Sequence, residues 1–157
     1  MSQTTIHSAT HANTESSSPL AIPNLHALHH VGLTVSDVER SEPWYANVFG
    51  FERVMVEAHH GSGDGYTVVL NRPGTPIFIG LDHHVGGDAS TFDERRTGLD
   101  HLAFGVTHRD ELDRWVSHFD ALGLAHSGIN DVTEPFPFAT LIVRDPDNIQ
   151  LELTWMG

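Results

Sequence analysis

His30-Val-Gly-Leu-Thr-Val35 and His101-Leu-Ala-Phe-Gly-Val106 are two stretches of one pattern, and together they decide the fold. Each opens with a histidine and continues as a short apolar run. In each copy a tryptophan follows fourteen residues after the histidine, at Trp44 and Trp115. An internal repeat sets the architecture before any local pattern does. The sequence therefore predicts two copies of one structural module.

The first copy predicts a strand, a helix and three further strands. Ser41 is the predicted N-cap of the helix and Gly50 its predicted stop. The second copy repeats this order, with Gly123 as the helix stop. The predicted elements cover residues 28–35, 41–48, 51–58, 66–70 and 76–81 in the first copy, and 99–106, 110–122, 124–129, 138–143 and 149–155 in the second. We therefore expect eight strands and two helices.

These elements predict an α+β fold made of two βαβββ modules. Its eight strands are expected to form a curved mixed sheet, a cup or open barrel, with the helices outside. The predicted divisions are a mobile N-terminal tail over 1–27, a first module over 28–81, a linker over 82–98 and a second module over 99–157. The tail is assigned because residues at the start are rich in Ser, Thr, Asn and His and show no periodicity.

Composition excludes several classes of protein. The net charge is −13, with 8 Lys and Arg against 21 Asp and Glu, which repels nucleic acid and anionic membranes. No apolar run is long enough to span a membrane, and the start lacks the basic and apolar regions of a signal peptide. With 0 Cys, neither a disulfide framework nor a thiolate metal site is possible. These features predict a cytoplasmic protein without nucleic-acid or membrane partners.

Strand parity singles out three candidate metal ligands. In the first strand Val31, Leu33 and Val35 share one face, which leaves His30 on the other. His101 has the same position in the second copy. In the last strand Glu152 lies opposite a run of apolar residues. Two histidines and one carboxylate on polar faces with small neighbours predict a divalent-metal site at the base of the cup.

Other interpretations of these residues stay open. His30 and His101 can each be hydrogen-bonded core histidines, because a chain with 13 His makes any single one weak as a signal. Glu152 is harder to explain in that way, since a carboxylate on a central strand is costly to bury unless it is paired or bound to a cation. The pairs at 59–60 and 83–84 stand beside glycines and are interpreted as loop histidines in solvent.

At these residues the chain resembles the vicinal oxygen chelate superfamily, which includes glyoxalase I, extradiol dioxygenases, fosfomycin-resistance transferases and bleomycin-binding proteins. The resemblance covers about residues 28–155. It is carried by His30-Val-Gly-Leu-Thr-Val-Ser-Asp37, Trp44-Tyr-Ala-Asn-Val-Phe-Gly-Phe51, Gly98-Leu-Asp-His-Leu-Ala-Phe-Gly105 and Asp145-Pro-Asp-Asn-Ile-Gln-Leu-Glu152. It implies paired βαβββ modules and a small-molecule substrate that chelates a metal through neighbouring oxygens.

The resemblance also implies a ligand set and one departure from it. The family's ligands correspond to His30, His101 and Glu152, for Fe²⁺, Mn²⁺ or Zn²⁺. Aligning the last strands of the two copies places Gly80 opposite Glu152, where typical glyoxalase I has a further ligand that assists proton transfer. A glycine there predicts that such chemistry is slow, unless Asp82 or His83 of the linker folds back to the metal.

The resemblance leaves the activity open between two kinds of function. One is a metal-dependent enzyme, a ring-cleaving dioxygenase or a lyase, in which Glu152 and a nearby acid/base group such as Tyr66 or a linker histidine are catalytic. The other is a resistance protein that sequesters a drug or metabolite, or transfers a thiol to an antibiotic. Superfamily members often pair modules between chains, so the resemblance also predicts a homodimer.

Overall fold

The computed structural model describes residues 22–59 and 64–157. Within these residues the chain forms eight strands and two helices in the predicted order. The first module contains β1 (Val31–Thr34), α1 (Val38–Phe49), β2 (Glu52–Ala58), β3 (Gly65–Asn71) and β4 (Phe78–His84). The second contains β5 (Leu102–Val106), α2 (Asp110–Ala121), β6 (His126–Val132), β7 (Phe138–Arg144) and β8 (Gln150–Met156).

Each module folds around its own mixed sheet of four strands. The strand orders are β1-β4-β3-β2 and β5-β8-β7-β6, so the two sheets have the same topology. In each sheet the first and last strands of the module pair in parallel, and the remaining pairs are antiparallel. The predicted α+β class with two βαβββ modules is confirmed. In the described residues the eight strands are hydrogen-bonded as two four-stranded sheets.

Helix α1 begins earlier than its sequence pattern suggested. Asp37 is the N-cap, and its Oδ1 accepts a hydrogen bond from the backbone N–H of Arg40 at 3.2 Å. The prediction of Ser41 as the cap was wrong, because Ser41 lies one turn inside the helix and is fully buried. The predicted stop at Gly50 is confirmed. Gly50 has a φ of 68°, a left-handed conformation that a glycine adopts without strain.

The first strand of each module starts later than predicted, with one consequence for the histidines. Strand β1 begins at Val31 and β5 at Leu102, so His30 and His101 each stand one residue before their strand. Residues 22–30 are exposed and form no regular structure. Most of the predicted N-terminal tail, residues 1–21, lies outside the described part of the chain.

Strand β4 is longer than predicted and changes the position of one carboxylate. The strand was expected to end at Leu81, with Asp82 in the linker. Instead, pairing with β3 continues as far as His84 opposite Gly65. Backbone pairing with a neighbouring strand here outweighs the polar character of the residues, because each pair satisfies backbone groups on both strands. Asp82 therefore lies within the sheet, opposite Thr67 on β3 and Thr34 on β1.

The apolar faces of the sheets and the helices form one core. Leu33, Leu81, Leu141 and Leu151 are 3% exposed or less, and strand parity predicted this for Leu33 and Leu151. Phe49 at the end of α1 joins the modules, since its ring centroid lies 5.5 Å from those of Phe104 and Trp115 and 6.2 Å from that of Phe119 in the second module. The modules therefore share a core on the helix side, and their polar faces are directed away from it.

A buried hydrogen-bond network holds the modules together at a second place. The turn between β7 and β8 carries Asp145 and Asp147, each only 6% exposed. The Tyr45 hydroxyl of α1 donates to Asp145 Oδ2 at 3.0 Å. Asp147 accepts from the hydroxyl and backbone N–H of Ser36 and from Arg40 Nη2 at 2.7 Å. Residues of the first module are thus bonded directly to the second.

Candidate functional site

The polar faces of the two sheets correspond residue by residue. In the first module Gly32, two residues after His30, pairs with Gly80. In the second, Ala103, two residues after His101, pairs with Glu152. The register of the strands thus agrees with the sequence alignment that placed Gly80 opposite Glu152. The second module carries a carboxylate at this position, and the first carries none.

His101 stands just before β5 and Glu152 lies in β8 opposite Ala103, and each of the two side chains contacts a neighbour. The His101 Nδ1 is 2.6 Å from Asp100 Oδ1. Glu152 Oε1 accepts a hydrogen bond from the Thr154 hydroxyl at 2.6 Å. A carboxylate on one ring nitrogen of a histidine is the arrangement that orients metal-binding histidines, because it fixes the tautomer and directs the other nitrogen outward.

His30 stands at the junction between the modules. It is exposed, and its Nδ1 lies 2.9 Å from His29 Nδ1. It lines a cleft of about 210 Å³ together with the starts of β1 and β4 and the residues Ala103 and Gly105 of β5. Ala103 is the register partner of Glu152 and lies two residues after His101. His30, the first predicted ligand, therefore shares a cleft with strand β5. This strand directly follows His101, the second predicted ligand.

The structure does not gather the three predicted ligands into one cluster. Within residues 22–59 and 64–157, no group of three or more His, Asp or Glu side chains has a geometry that holds a metal ion. The triad of His30, His101 and Glu152 therefore stays a prediction. Its chemistry does fit a divalent ion, since it offers two imidazoles and one carboxylate, and two of these three groups are oriented by hydrogen bonds.

Tyr66, the predicted acid/base residue, lies on the other side of the first sheet. It pairs with His83, and the two ring centroids are 5.2 Å apart. Its face is that of Val68 and Leu70, which are buried in the core, whereas Gly32 and Gly80 belong to the polar face. The alternation from Tyr66 to Leu70 already carried this information, because residues i, i+2 and i+4 of a strand share a face. The structure therefore separates Tyr66 from His30.

A polar cluster that the sequence did not reveal lies on the face of Gly32 and Gly80. Asp82 Oδ1 accepts a hydrogen bond from the Thr67 hydroxyl at 2.5 Å, and His59 Nε2 lies 3.2 Å from the same oxygen. His59 Nε2 is also 3.1 Å from the Thr67 hydroxyl oxygen. All three side chains are half-buried. His59 does lie beyond the end of β2, but the interpretation of its side chain as solvated was wrong, because it is half-buried against Thr67 and Asp82. His60 lies outside the described residues.

The chain belongs to the Glyoxalase/Bleomycin resistance protein/Dioxygenase superfamily, whose profile matches residues 27–153. This confirms the family resemblance. The match covers both βαβββ modules, with His30, His101 and Glu152 inside it.

Three similar proteins illustrate the range of this family. A crystal structure of a glyoxylase/bleomycin resistance protein/dioxygenase domain from Frankia sp. EAN1pec is 31% identical, covers 85% of this chain and 94% of its own, and has a TM-score of 0.73. A putative ring-cleaving dioxygenase, MhqA, from Bacillus subtilis is 28% identical over 81% of this chain and 39% of MhqA. A mutant of the fosfomycin resistance protein FosX from Listeria monocytogenes, complexed with Mn(II), shares the fold at a TM-score of 0.63 and 19% identity, with 85% of this chain and 95% of that one covered.

No helix in the described ranges 22–59 and 64–157 has both the length and the apolar character that a membrane span requires.

Proposed function

We propose that this protein is a divalent-metal-dependent enzyme acting on a small molecule that binds the metal through two neighbouring oxygens. The reaction belongs to the ring-cleaving dioxygenase or lyase classes. The metal ligands are His30, His101 and Glu152, with Fe²⁺, Mn²⁺ or Zn²⁺ as the ion. When bound, the ion supplies Lewis-acid polarisation of the substrate oxygens, or oxygen activation if it is iron.

The observation that carries this proposal is the paired support of His101 and Glu152 on one polar face. The Asp100 carboxylate contacts one ring nitrogen of His101, and the Thr154 hydroxyl donates a hydrogen bond to Glu152. Ala103 and Gly105, the small residues of the same face, leave space for a bound molecule beside them. His30 lines a cleft together with Ala103 and Gly105.

Metal content tests the proposal directly. We expect one ion per site in protein purified without chelator, and loss of most of it in His101→Ala and Glu152→Ala. His108→Ala is the matched control, because His108 is an exposed histidine of the same module, outside the polar face. Mass spectrometry measures the number of metal ions bound per protein chain. Equal metal content in wild type and Glu152→Ala contradicts the ligand set.

The reaction class is tested with the metal-loaded protein and three substrates: catechol with O₂, the adduct of methylglyoxal and a thiol, and fosfomycin with a thiol. Turnover of one of them assigns the class. Tight binding of a drug without turnover instead supports the alternative, a resistance protein that sequesters its ligand.

A further inference from the structure

A second cleft lies where the two helices meet, and none of the three proposed metal ligands lines it. Its volume is about 390 Å³. The walls are the end of α1, the start of the turn from β3 to β4, and one face of α2. Both modules therefore contribute to it, and its volume lies in the range of small-molecule sites.

Arg72, which lines this cleft, has a guanidinium without an anionic partner. The chain has eight Arg and no Lys, and all eight lie in the described ranges. Six of them have a carboxylate within 4.0 Å, namely Arg40, Arg53, Arg95, Arg109, Arg114 and Arg144. Arg72 has neither such a carboxylate nor a side-chain hydrogen bond in the part of the chain that the structure describes, although it is half-buried. Its N–H donors are therefore available to a ligand.

The backbone of Arg72 is held in place by the turn that it begins. Its N–H donates to the Ile77 carbonyl at 3.1 Å. Its carbonyl accepts from the Thr75 backbone N–H at 3.1 Å and from the Thr75 hydroxyl at 2.8 Å. Asn71 Nδ2 closes the turn by donating to the carbonyls of Thr75 and Ile77. The base of the side chain is thus fixed before any ligand binds.

The Arg72 guanidinium lies between an aromatic ring and a glycine. Its Cζ is 5.9 Å from the centroid of the Trp115 ring, which is a cation–π distance. On another side, a Cβ atom on Gly50 would be 2.9 Å from Arg72 Nη1. Gly50 stops α1 and also leaves the space that the guanidinium occupies.

Trp115 gives the cleft an aromatic wall whose orientation is fixed from both modules. Its ring centroid is 5.5 Å from that of Phe49 and 5.5 Å from that of His118, with the His118 ring edge-on at 77°. His118 Nε2 in turn donates to the Val48 carbonyl at the end of α1, at 2.9 Å. Trp115 is half-buried, so part of its ring stays open to a molecule in the cleft.

The charges that line the cleft favour a ligand with a single negative charge. Arg72 and Arg114 are its two arginines, and Glu111 is its one carboxylate. Glu111 Oε2 accepts hydrogen bonds from two backbone N–H groups just before α2, and Arg114 is paired with Asp110 at 3.4 Å. These groups are already bonded within the protein, whereas Arg72 is not. One carboxylate on the ligand would balance the charge of Arg72.

We infer that this cleft is a second binding site and that it takes a small aromatic monocarboxylate. The planar guanidinium of Arg72 presents two parallel N–H donors to the two oxygens of the carboxylate. The ring of the ligand packs against Trp115 by offset or edge contact. Because none of the proposed metal ligands lines the cleft, this inference does not depend on the proposed function.

The experiment uses benzoate as the probe and the full chain as the protein. Benzamide is the uncharged match, and acetate and inorganic phosphate are anions without a ring. Affinity is measured by isothermal titration calorimetry, and the binding place by the NMR shift of the Trp115 indole N–H.

Four variants are compared with the wild type. Arg72→Gln removes the guanidinium, and Arg72→Lys keeps its charge. Arg96→Gln is the matched control, because Arg96 also has no carboxylate within 4.0 Å among the described residues and does not line this cleft. His101→Ala removes a proposed metal ligand and so separates the two sites.

We expect the wild type to bind benzoate more tightly than the other three compounds, and benzoate to shift the Trp115 indole signal. Arg72→Gln should lower benzoate affinity about tenfold or more, the fold-change of one lost hydrogen bond to a charged group. Arg72→Lys should lower it less, because lysine keeps the charge but lacks the planar pair of donors. Arg96→Gln and His101→Ala should bind benzoate as the wild type does. Arg72→Met replaces Arg72→Gln if the latter fails to fold by circular dichroism.

Every other outcome overturns the inference for a distinct reason. If the wild type binds no benzoate, the cleft is not such a site. Equal affinity for benzamide removes the role of the carboxylate, and equal affinity for acetate or phosphate removes the role of the ring. Wild-type affinity in Arg72→Gln places the ligand elsewhere, and loss of affinity in His101→Ala places it at the proposed metal site. None of these results changes the metal content that tests the proposed function.

Discussion

Replacing Tyr45 with phenylalanine tests how much the buried network between the modules stabilises the fold. Tyr45 is fully buried, and its hydroxyl donates to Asp145, which is 6% exposed. The substitution keeps the ring and removes only this hydrogen bond. A hydrogen bond to a charged group contributes roughly 1.5–3 kcal/mol, and a buried acceptor that loses its donor keeps its desolvation cost. We therefore expect Tyr45→Phe to lower the free energy of unfolding by about 2 kcal/mol.

The effect of pH on this variant makes the test sharper. Burial, followed by the charge of Asp145, raises the pKa of Tyr45 well above its ordinary value. Above pH ~10 the tyrosine ionises in the unfolded chain but not in the folded one, so the wild type loses stability as pH rises. The loss is about 1.4 kcal/mol per pH unit. Tyr45→Phe lacks this loss, so the ~2 kcal/mol gap between the two proteins should narrow as pH rises above the ordinary tyrosine pKa.

The assay is urea denaturation followed by tryptophan fluorescence from pH 7 to pH 11.5, together with thermal denaturation at pH 7. At neutral pH the melting temperature should fall by roughly 4–8 °C, since 1 kcal/mol shifts it by about 2–4 °C in a protein of this size. Tyr66→Phe is the matched control, because the Tyr66 hydroxyl has no hydrogen-bond partner among the described residues. A Tyr45→Phe loss below about 0.5 kcal/mol, or a gap that stays constant up to pH 11.5, refutes the reasoning.

Asp145, which accepts the hydrogen bond from Tyr45, should make stability depend on pH in the acidic range. Burial raises the pKa of Asp145, against the backbone N–H bonds from Ile149 and Asp147 and the hydrogen bond from Tyr45, which lower it. A raised folded-state pKa means that the fold favours the protonated carboxyl. This group's contribution to stability is therefore fully present below the ordinary aspartate pKa and is lost as pH rises through the folded-state pKa. Asp145→Asn should show no such pH dependence, so its stability relative to the wild type should improve as pH rises across that range.

Three further predictions concern the rest of the chain. Strand β2 is an exposed sheet edge, and Val56 on it is 52% exposed; we expect a homodimer with a sedimentation mass twice 17.3 kDa, and a shift to monomer in Val56→Asp. Gly50→Ala and Gly123→Ala should each cost about 1 kcal/mol in urea denaturation because both residues have a φ of 68°. Glu94→Gln should change the melting temperature by less than about 1 °C, because its ion pair with Arg144 is about one-third exposed.

The repeat made most of the architecture predictable from the sequence. Two histidines and two tryptophans at equal spacing gave the two modules, and turn glycines gave the helix ends. Both Gly50 and Gly123 adopt the left-handed conformation that a helix stop requires. Such features are predictable because they depend on residues close together in the chain. The start of α1 also has a local signal, the capping residue Asp37, one turn before Ser41.

The polar cluster of the first module was not predictable in the same way. His59, Thr67 and Asp82 come from three places in the chain, and only the pairing of β2, β3 and β4 brings them together. The residues from Asp82 to His84 have the composition of a loop. Their strand conformation comes from pairing with β3, a tertiary effect that composition does not report.

The two modules differ mainly in where each places its carboxylate. In the second module Glu152 stands at the register of Ala103, which is two residues after His101. In the first module the same register holds Gly80, and Asp82 lies two residues further along β4 with one oxygen extending back over the glycines. A shift of two residues keeps a side chain on the same face but moves it by roughly 6.6 Å. The two sheets of equal topology therefore present their carboxylates at different positions on their polar faces.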